Sequence, residues 1–258
     1  MPRQVAWFVE APVTRHPKGG FTSVKASTRY RCLIPHRELN NLGVKSVVHF
    51  GPLREVDPER FGRFVQEFDV EIVVIGKFND PSMVDLARLA RNRGCYLVAD
   101  FCDDYFNIPA LGPLYRRLAQ LADLIVAGTP QMAEVIATEV GRTATVIPDP
   151  YEGPRREPKF APGGRHLKLL WFGDVTNLDG IVAVLPELVS LSQEYPLRLT
   201  VVTDTTQVNP KAGPQWPPSL ELIVVPWSVD RLWDEIAEPT AVIRRDRERM
   251  FEAAADNV

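Results

Sequence analysis

Three carboxylates follow an apolar, strand-like run in the stretch "VADFCDDYF" (98–106): Asp100, Asp103 and Asp104. Burying an unpaired carboxylate in an apolar core is costly, so their position needs an explanation. In an open parallel sheet, ligands bind beyond the carboxyl ends of the strands, where charged side chains face a crevice. We therefore predict that the three carboxylates shape a sugar or phosphate pocket at such an edge.

Two simpler roles for these carboxylates remain open. Asp103 or Asp104 could cap the next helix and pair with an arginine such as Arg116 or Arg117. A metal site is the other alternative, although no histidine lies near them in the sequence, and we expect none. Lys77 and Thr129 each follow another apolar run, so both are assigned to the same predicted pocket.

A glycine-containing loop after the first apolar run is a second candidate, "GGFTSVKASTRYR" (19–31). Gly19 and Gly20 would allow a ligand to approach the backbone, and arginine suits phosphate or carboxylate recognition. We predict that Arg29 and Arg31 contact an anion. The alternative is an exposed loop with solvated basic residues, because the stretch is neither GxGxxG nor a P-loop.

A third candidate lies in the second half of the chain, in "WFGDVTNLDG" (171–180). The apolar run ends at Gly173 and a polar turn leads into a predicted helix, whose N-terminus would suit an anion. Gly173 is the predicted contact to an anion, and Asp174 is expected to point away or to cap the helix. An ordinary strand-to-helix turn is the alternative.

These residues depend on alternating strands and helices for their positions. Asp-Pro or Thr-Pro pairs mark helix starts at 57–58, 80–81 and 129–130, and glycines at 43 and 94 mark helix ends. Pro35 must start, kink or break a helix over 28–42. The repetition predicts an α/β fold with an open parallel sheet. The predicted strands are 4–10, 45–50, 70–77, 95–101, 124–129 and 143–149.

A second, shorter α/β unit follows a segment rich in proline and glycine. Strands are predicted at 167–173, 198–204 and 220–227, with helices around 178–194 and 229–237. The predicted organisation is therefore an N-terminal Rossmann-like domain, a linker and a short C-terminal Rossmann-like domain: 1–149, 150–166 and 167–258.

The composition bears on the protein's cellular compartment and on the classes of partner that it binds. The 258 residues are 45% hydrophobic and 24% charged with a net charge of −3, which does not favour nucleic-acid binding. No apolar run has bilayer-spanning length and no signal peptide is recognisable at the N-terminus. Cys32, Cys95 and Cys102 form no CxxC and fit a reducing compartment. We expect a cytoplasmic protein, with peripheral membrane contact left open.

The order of these segments resembles the two-domain GT-B glycosyltransferases, especially the retaining family-4-like group. The resemblance covers about 230 residues and implies two facing Rossmann-like domains and metal-independent glycosyl transfer. It also implies a nucleotide-sugar donor held mainly by the second domain, with no separate cofactor. In this resemblance Gly173 would approach the donor diphosphate, and Arg29 and Arg31 would line the cleft. The matching segments are "ASTRYRCLIPHRELNNLGV" (26–44), "VEIVVIGKF" (70–78), "LARLARNRGCYLVADFCDDYF" (86–106), "LADLIVAGTPQMAEVI" (121–136), "ATVIPDPYEG" (144–153) and "LKLLWFGDVTNLDGI" (167–181).

The chain departs from this family in its second half. The family's two glutamates eight positions apart are absent beyond residue 220, where Asp230 and Glu238 are the nearest substitute. The missing pair favours an alternative, a non-catalytic protein of this fold that binds a sugar, a nucleotide or a protein partner. A nucleotide-dependent oxidoreductase is a third reading, and the lack of GxGxxG counts against it. His16, His36 and Asp100 are equal candidates for a general base.

Overall fold

The chain forms two compact units, Met1–Glu152 and Gly153–Val258, and each is described by itself. The computed structural model describes residues 4–16, 19–50, 57–77, 79–154, 167–204, 220–237 and 241–242. The boundary between the units falls inside the predicted linker 150–166, of which residues 155–166 lie outside the described part.

A six-stranded parallel sheet forms the centre of the first unit, in the order β4-β1-β5-β6-β7-β8. A short antiparallel hairpin, β2 with β3, follows the first strand. The bounds agree with the predicted strands to within a few residues. The strands are β1 Gln4–Val9, β2 Thr14–Arg15, β3 Phe21–Thr22, β4 Ser46–Phe50, β5 Val70–Gly76, β6 Tyr96–Phe101, β7 Leu124–Ala127 and β8 Thr145–Val146.

The helices of the first unit begin near the predicted capping residues. Asp57 accepts a hydrogen bond from the amide of Glu59, and Thr129 accepts one from the amide of Met132. Gly141 ends the last helix in the left-handed region, where glycine has no steric cost. The helices are α1 Ala26–Thr28, α2 Ile34–Asn41, α3 Pro58–Glu67, α4 Ser82–Asn92, α5 Gly112–Leu121 and α6 Pro130–Val140.

The two faces of this sheet are covered by different helices. Crossovers between parallel strands are right-handed, so the connection from β1 to β4 and the later connections lie on opposite faces. One core accordingly packs Trp7 and Val74 against Cys32 and Leu33, which precede α2. The other core packs the opposite face against α3 to α6. The loops after β1 and β5 therefore diverge, which makes this point of the sheet the expected ligand crevice.

A π-helical turn, Arg29–Leu33, joins α1 to α2 into one continuous helical segment. The amide of Ile34 donates to the carbonyl of Arg29, five residues earlier. Pro35 follows at once, and a proline ring collides with the carbonyl four residues before it in a regular α-helix. The wider turn accommodates Pro35, so the predicted disturbance over 28–42 is a widened turn within a helix.

The second unit contains a smaller parallel sheet in the order β11-β10-β9-β12. Two small cores cover its faces, one around Ile181 and Leu199 and one around Leu170 and Leu232. The unit therefore has the predicted short Rossmann-like character. Its strands are β9 Leu167–Phe172, β10 Leu197–Thr203, β11 Glu221–Pro226 and β12 Ala241–Val242.

Within the described residues, the α-helices that accompany this sheet are α7 Asp179–Val182, α8 Leu185–Glu194 and α9 Val229–Ile236. The single helix predicted over 178–194 is two helices, because Pro186 can start a helix but cannot continue one. Among the described residues no single helix is long and apolar enough to cross a membrane. The stretches Val175–Val182 and Leu185–Glu194 pass that test only together, with a 56° bend between them.

Truncation of a core residue on β6 should measure how tightly the first unit is packed. Leu97 is fully buried, and Leu97→Ala should lower the free energy of unfolding by about 2–5 kcal/mol, because it leaves a cavity. Leu42→Ala is the matched control, since Leu42 is 79% exposed and its loss should change stability by no more than about 0.5 kcal/mol. Urea unfolding of both variants tests this, and equal effects would contradict it.

Candidate functional site

A small recess lies at the carboxyl ends of β1, β5 and β6, at the point where the loops after β1 and β5 diverge. It contains about 300 Å³ of empty space that opens to solvent. Three predicted site residues line it, namely Arg31, Lys77 and Asp100. The other lining residues are Trp7, Val9, Ser27, Thr28, Val74, Gly76 and Cys102.

A buried ion pair closes the floor of the recess. The Nε and Nη2 atoms of Arg31 donate to the two carboxylate oxygens of Asp100 at 3.0 and 2.6 Å. Burial raises the pKa of Asp100, and the hydrogen bonds and charge of Arg31 oppose that rise. Burial likewise disfavours the charged guanidinium, but hydrogen bonding and attraction by Asp100 leave the pKa of Arg31 raised. Both oxygens of Asp100 are engaged, so its carboxylate is poorly placed to act as a base.

The same arginine also holds the end of the first unit. Its Nη1 atom donates to the carbonyl of Ile147 at 2.5 Å and lies 3.4 Å from the carboxylate of Asp149. Arg31 thus connects the helical segment, the sheet and the chain that leaves β8. The predicted anion contact of Arg31 is made here to carboxylates of the protein itself.

Arg29, like Arg31, bonds to a distant part of the first unit, but it does not line the recess. Its Nε atom lies 2.8 and 3.0 Å from the two carboxylate oxygens of Glu152, and its Nη1 atom donates to the carbonyl of Ser23. Only 3% of Arg29 is exposed. Residues two apart on a helix face different surroundings, which explains why the two arginines meet different partners. Arg29 was expected to contact an anion in the ligand crevice, whereas the structure places it against Glu152 and Ser23.

The rim of the recess carries a second, more exposed ion pair. The ammonium of Lys77 lies 2.7 Å from the carboxylate of Asp103, and these side chains are 34% and 43% exposed. Burial acts to lower the pKa of Lys77, but the hydrogen bond and charge of Asp103 outweigh it, and the pKa is raised. Lys77 is consequently a charged group at the mouth of the recess.

The backbone of Lys77 is held in a sparsely populated conformation. Its φ of +42° lies in the left-handed region, which is unfavourable for a residue with a side chain. The following loop is anchored through Asn79. Its backbone amide donates to the carboxylate of Glu10, and its side-chain oxygen accepts a hydrogen bond from the hydroxyl of Tyr115. These bonds stabilise the turn that places Lys77 at the rim.

Sequence reasoning missed Ser27, Thr28 and Cys102 as parts of the site. Burial raises the pKa of the Cys102 thiol to about 12, with Asp103 adding to the effect, so the thiol is neutral. Ser27 and Thr28 lie within the predicted glycine-containing loop (19–31), and their proximity to Arg31 was the available signal. Both residues line the recess because the helical segment begins beside it.

The remaining predicted residues of the first unit lie outside the recess lining. Asp104 accepts a hydrogen bond from the amide of Phe106 within a turn and does not cap the next helix, α5, which begins at Gly112 without a side-chain cap; Thr129 caps α6. Gly19 and Gly20 form the turn between β2 and β3 with φ of +97° and +78°. Arg116 pairs with Glu139 rather than with the acidic stretch. Among the described residues no group of three or more histidine, cysteine or acidic side chains is arranged for a metal.

The glycine turn of the second unit has a packing role. A Cβ atom at Gly173 would lie 2.9 Å from the indole of Trp171, and the Gly173 amide donates to the carbonyl of Val202. That amide is therefore already engaged, which differs from the predicted phosphate contact. Asp174 caps the turn Val175–Asn177 by accepting from the amide and hydroxyl of Thr176, as predicted for a capping residue.

Removal of the floor arginine should destabilise the first unit. Arg31→Met leaves the buried Asp100 carboxylate without its partner and should lower the free energy of unfolding by about 3–5 kcal/mol. The double variant Arg31→Met/Asp100→Leu should recover more than half of this loss, because no charge then remains buried.

The matched control is Arg37→Met, because the side chain of Arg37 is 65% exposed and pairs with its neighbour Glu38. Its effect should not exceed about 0.5 kcal/mol. Urea unfolding of the three variants gives the comparison. An Arg31→Met cost no larger than that of Arg37→Met would show that the pair does not hold the floor.

Comparison with known proteins shows which solved structures are similar to this chain. No protein-family model and no curated protein matches the chain in sequence. Similar solved structures include MurG of Acinetobacter baumannii, at 14% identity and a TM-score of 0.51 over 93% of this chain and 72% of that one. The lipopolysaccharide outer core galactosyltransferase WaaB gives 12% and 0.53 over 97% and 77%.

The third similar structure is an alpha-glucosyltransferase in complex with UDP-glucose and DNA containing an abasic site. It gives 10% identity and a TM-score of 0.59 over 94% of this chain and 72% of that one. Sequence identities this low indicate a shared fold and nothing further. The expected α/β architecture of two Rossmann-like sheets is confirmed, and the chain has the GT-B fold of glycosyltransferases.

Proposed function

We propose that the protein is a glycosyltransferase that moves a sugar from a nucleotide-sugar donor to a hydroxyl of a glycan, lipid or small molecule. The observation that carries this proposal is the recess at the switch point of a GT-B fold, whose lining includes Arg31, Lys77 and Asp100. Ligands of open α/β sheets bind at this point, and the side chains there are polar at the rim and paired at the floor. In this proposal the first unit serves the acceptor and the second unit the donor.

The described residues favour catalysis by positioning and electrostatics. Asp100 is engaged by Arg31, and Nδ1 of His36 lies 2.9 Å from the Ser46 hydroxyl, so neither is a ready base. Glycosyl transfer requires the diphosphate leaving group to be stabilised and the acceptor hydroxyl to be aligned. We propose that this occurs without a metal or separate cofactor, in the cytoplasm.

The alternative is a non-catalytic protein of the same fold that binds a nucleotide, a sugar or a partner. The absent glutamate pair of the second half favours it. Asp230, half of the nearest substitute pair, lies in the first turn of α9, and Glu238 lies outside the described residues.

The acceptor proposed here is not a nucleic acid. One similar structure is an alpha-glucosyltransferase in complex with DNA. A protein that neutralises many phosphates needs an excess of positive charge, whereas this chain carries a net charge of −3. Contact with a membrane surface is compatible with a lipid acceptor.

Calorimetry with UDP, GDP and dTDP is the direct test of donor recognition. One of the three should bind at least roughly tenfold more tightly than its free nucleoside, because the diphosphate adds charge-assisted hydrogen bonds. Turnover of the matching nucleotide-sugars with hydroxyl acceptors then separates the two functions. Binding with turnover supports the transferase, and binding without turnover supports the alternative. Failure of all three diphosphates to bind better than nucleosides contradicts the transferase.

A further inference from the structure

We infer that the recess of the first unit binds a compact oxyanion, such as a phosphate group carried by the acceptor, through the ammonium of Lys77 and the hydroxyl of Thr28. The inference rests on the proposed function and names the acceptor's chemical class. It follows from which hydrogen-bonding groups of the recess are engaged within the protein and which are not.

The acceptor groups of the recess are largely satisfied. Both oxygens of Asp100 accept from Arg31, so this carboxylate offers little to a ligand and its charge is compensated. The thiol of Cys102 is neutral and lies 3.4 Å from Asp103. An incoming anion therefore meets no unpaired negative charge among the lining residues.

The donor groups, in contrast, are in excess. An ammonium has three donor hydrogens, and among the described residues Lys77 has one partner, Asp103. Asp103 is more exposed than Lys77 and is not among the lining residues. A phosphate oxygen can therefore bind a remaining donor of Lys77 or replace Asp103 as its counter-ion.

Thr28 provides a second donor, and its surroundings point to a ligand. The residue is only 4% exposed, and no hydrogen bond of its hydroxyl is found among the described residues, although the hydroxyl is not one of the fully buried polar atoms. Thr28 lines the recess together with Ser27, so its hydroxyl is available to donate to a ligand there. A ligand oxygen would satisfy it.

The shape and backbone of the site fit a small charged group. The empty space of about 300 Å³ includes open solvent at the mouth of the recess, so the enclosed part has room for a compact group only. Lys77 occupies the left-handed region of φ, and such strain persists only where surrounding bonds impose it, commonly at functional sites. The anchoring of Asn79 by Glu10 and Tyr115 imposes it here.

Titration with glucose 6-phosphate and with glucose, at constant ionic strength, tests the inference by calorimetry. Glucose 6-phosphate should bind the wild-type protein more tightly than glucose. Lys77→Met should weaken glucose 6-phosphate binding by roughly tenfold to a hundredfold, since a charged hydrogen bond is lost. Thr28→Val should weaken it by roughly two- to tenfold without lowering the melting temperature, because no protein partner is lost.

Asp103→Asn provides the sharpest variant, because it should strengthen binding. It keeps the shape of the side chain and removes the internal competitor for Lys77. Lys45→Met and Thr138→Val are the matched controls, since both residues are exposed and lie outside the recess lining, and neither should change the affinity. Equal affinity for glucose and its phosphate, combined with no Lys77-dependent binding to phosphatidic acid vesicles, would overturn the inference, and so would weaker binding in Asp103→Asn.

Two further measurements identify the source of the anion and isolate this site from the donor. Lys77-dependent binding to vesicles containing phosphatidic acid, but not to soluble phosphate esters, would assign the anion to a lipid headgroup. The affinity for UDP should be unchanged in Lys77→Met, and an equal loss for UDP and glucose 6-phosphate would overturn the inference. If a nucleoside diphosphate binds but no phosphate ester or phosphate lipid does, the inference fails and the proposed transferase stands. Anion binding without any nucleoside diphosphate binding would contradict the transferase alone.

Discussion

The buried pair of Arg31 and Asp100 is the interaction on which the first unit's site depends. It joins the helical segment on one face of the sheet to the end of β6, and Arg31 extends the connection to Ile147 and Asp149. A buried charge is costly alone, so each partner fixes the position of the other. Because Asp100 follows the buried core of β6, the pair also fixes where the recess has its floor.

The recess therefore has a floor closed by the Arg31–Asp100 pair and a rim that carries the weaker Lys77–Asp103 pair. At the floor, two nearly fully buried groups satisfy one another. At the rim, Lys77 and Asp103 are partly exposed, and solvent weakens their attraction. A ligand therefore competes with the weaker pair and leaves the stronger one intact. The strained backbone at Lys77 belongs to the rim, where a fixed ammonium position matters most for binding.

The sequence predicted the strands, most helix starts and the strand-end position of the site, because apolar periodicity and capping residues are local signals. It did not predict the partners. Asp100 and Arg31 are 69 positions apart, and Arg29 and Glu152 are 123 apart, so both pairings depend on tertiary structure. Gly173 shows the same limit, since the glycine was recognised at a strand end but the neighbouring Trp171 indole that explains it was not. The sequence predicted one helix over 178–194 because its helical periodicity continues across Pro186, although this proline separates two helices in the structure.

The pairing at the floor also constrains the chemistry that this fold can support. A carboxylate that holds an arginine through both oxygens gains little by accepting a proton, because protonation would sacrifice that interaction. Proton transfer by Asp100 is thereby disfavoured, and His36 is occupied with Ser46. What the site retains is the Lys77 cation at the rim, the Thr28 hydroxyl, for which no hydrogen bond is found among the described residues, and a charge-compensated floor. Such a set of groups orients a substrate and stabilises negative charge, which is the contribution that transfer from a good leaving group requires of a protein.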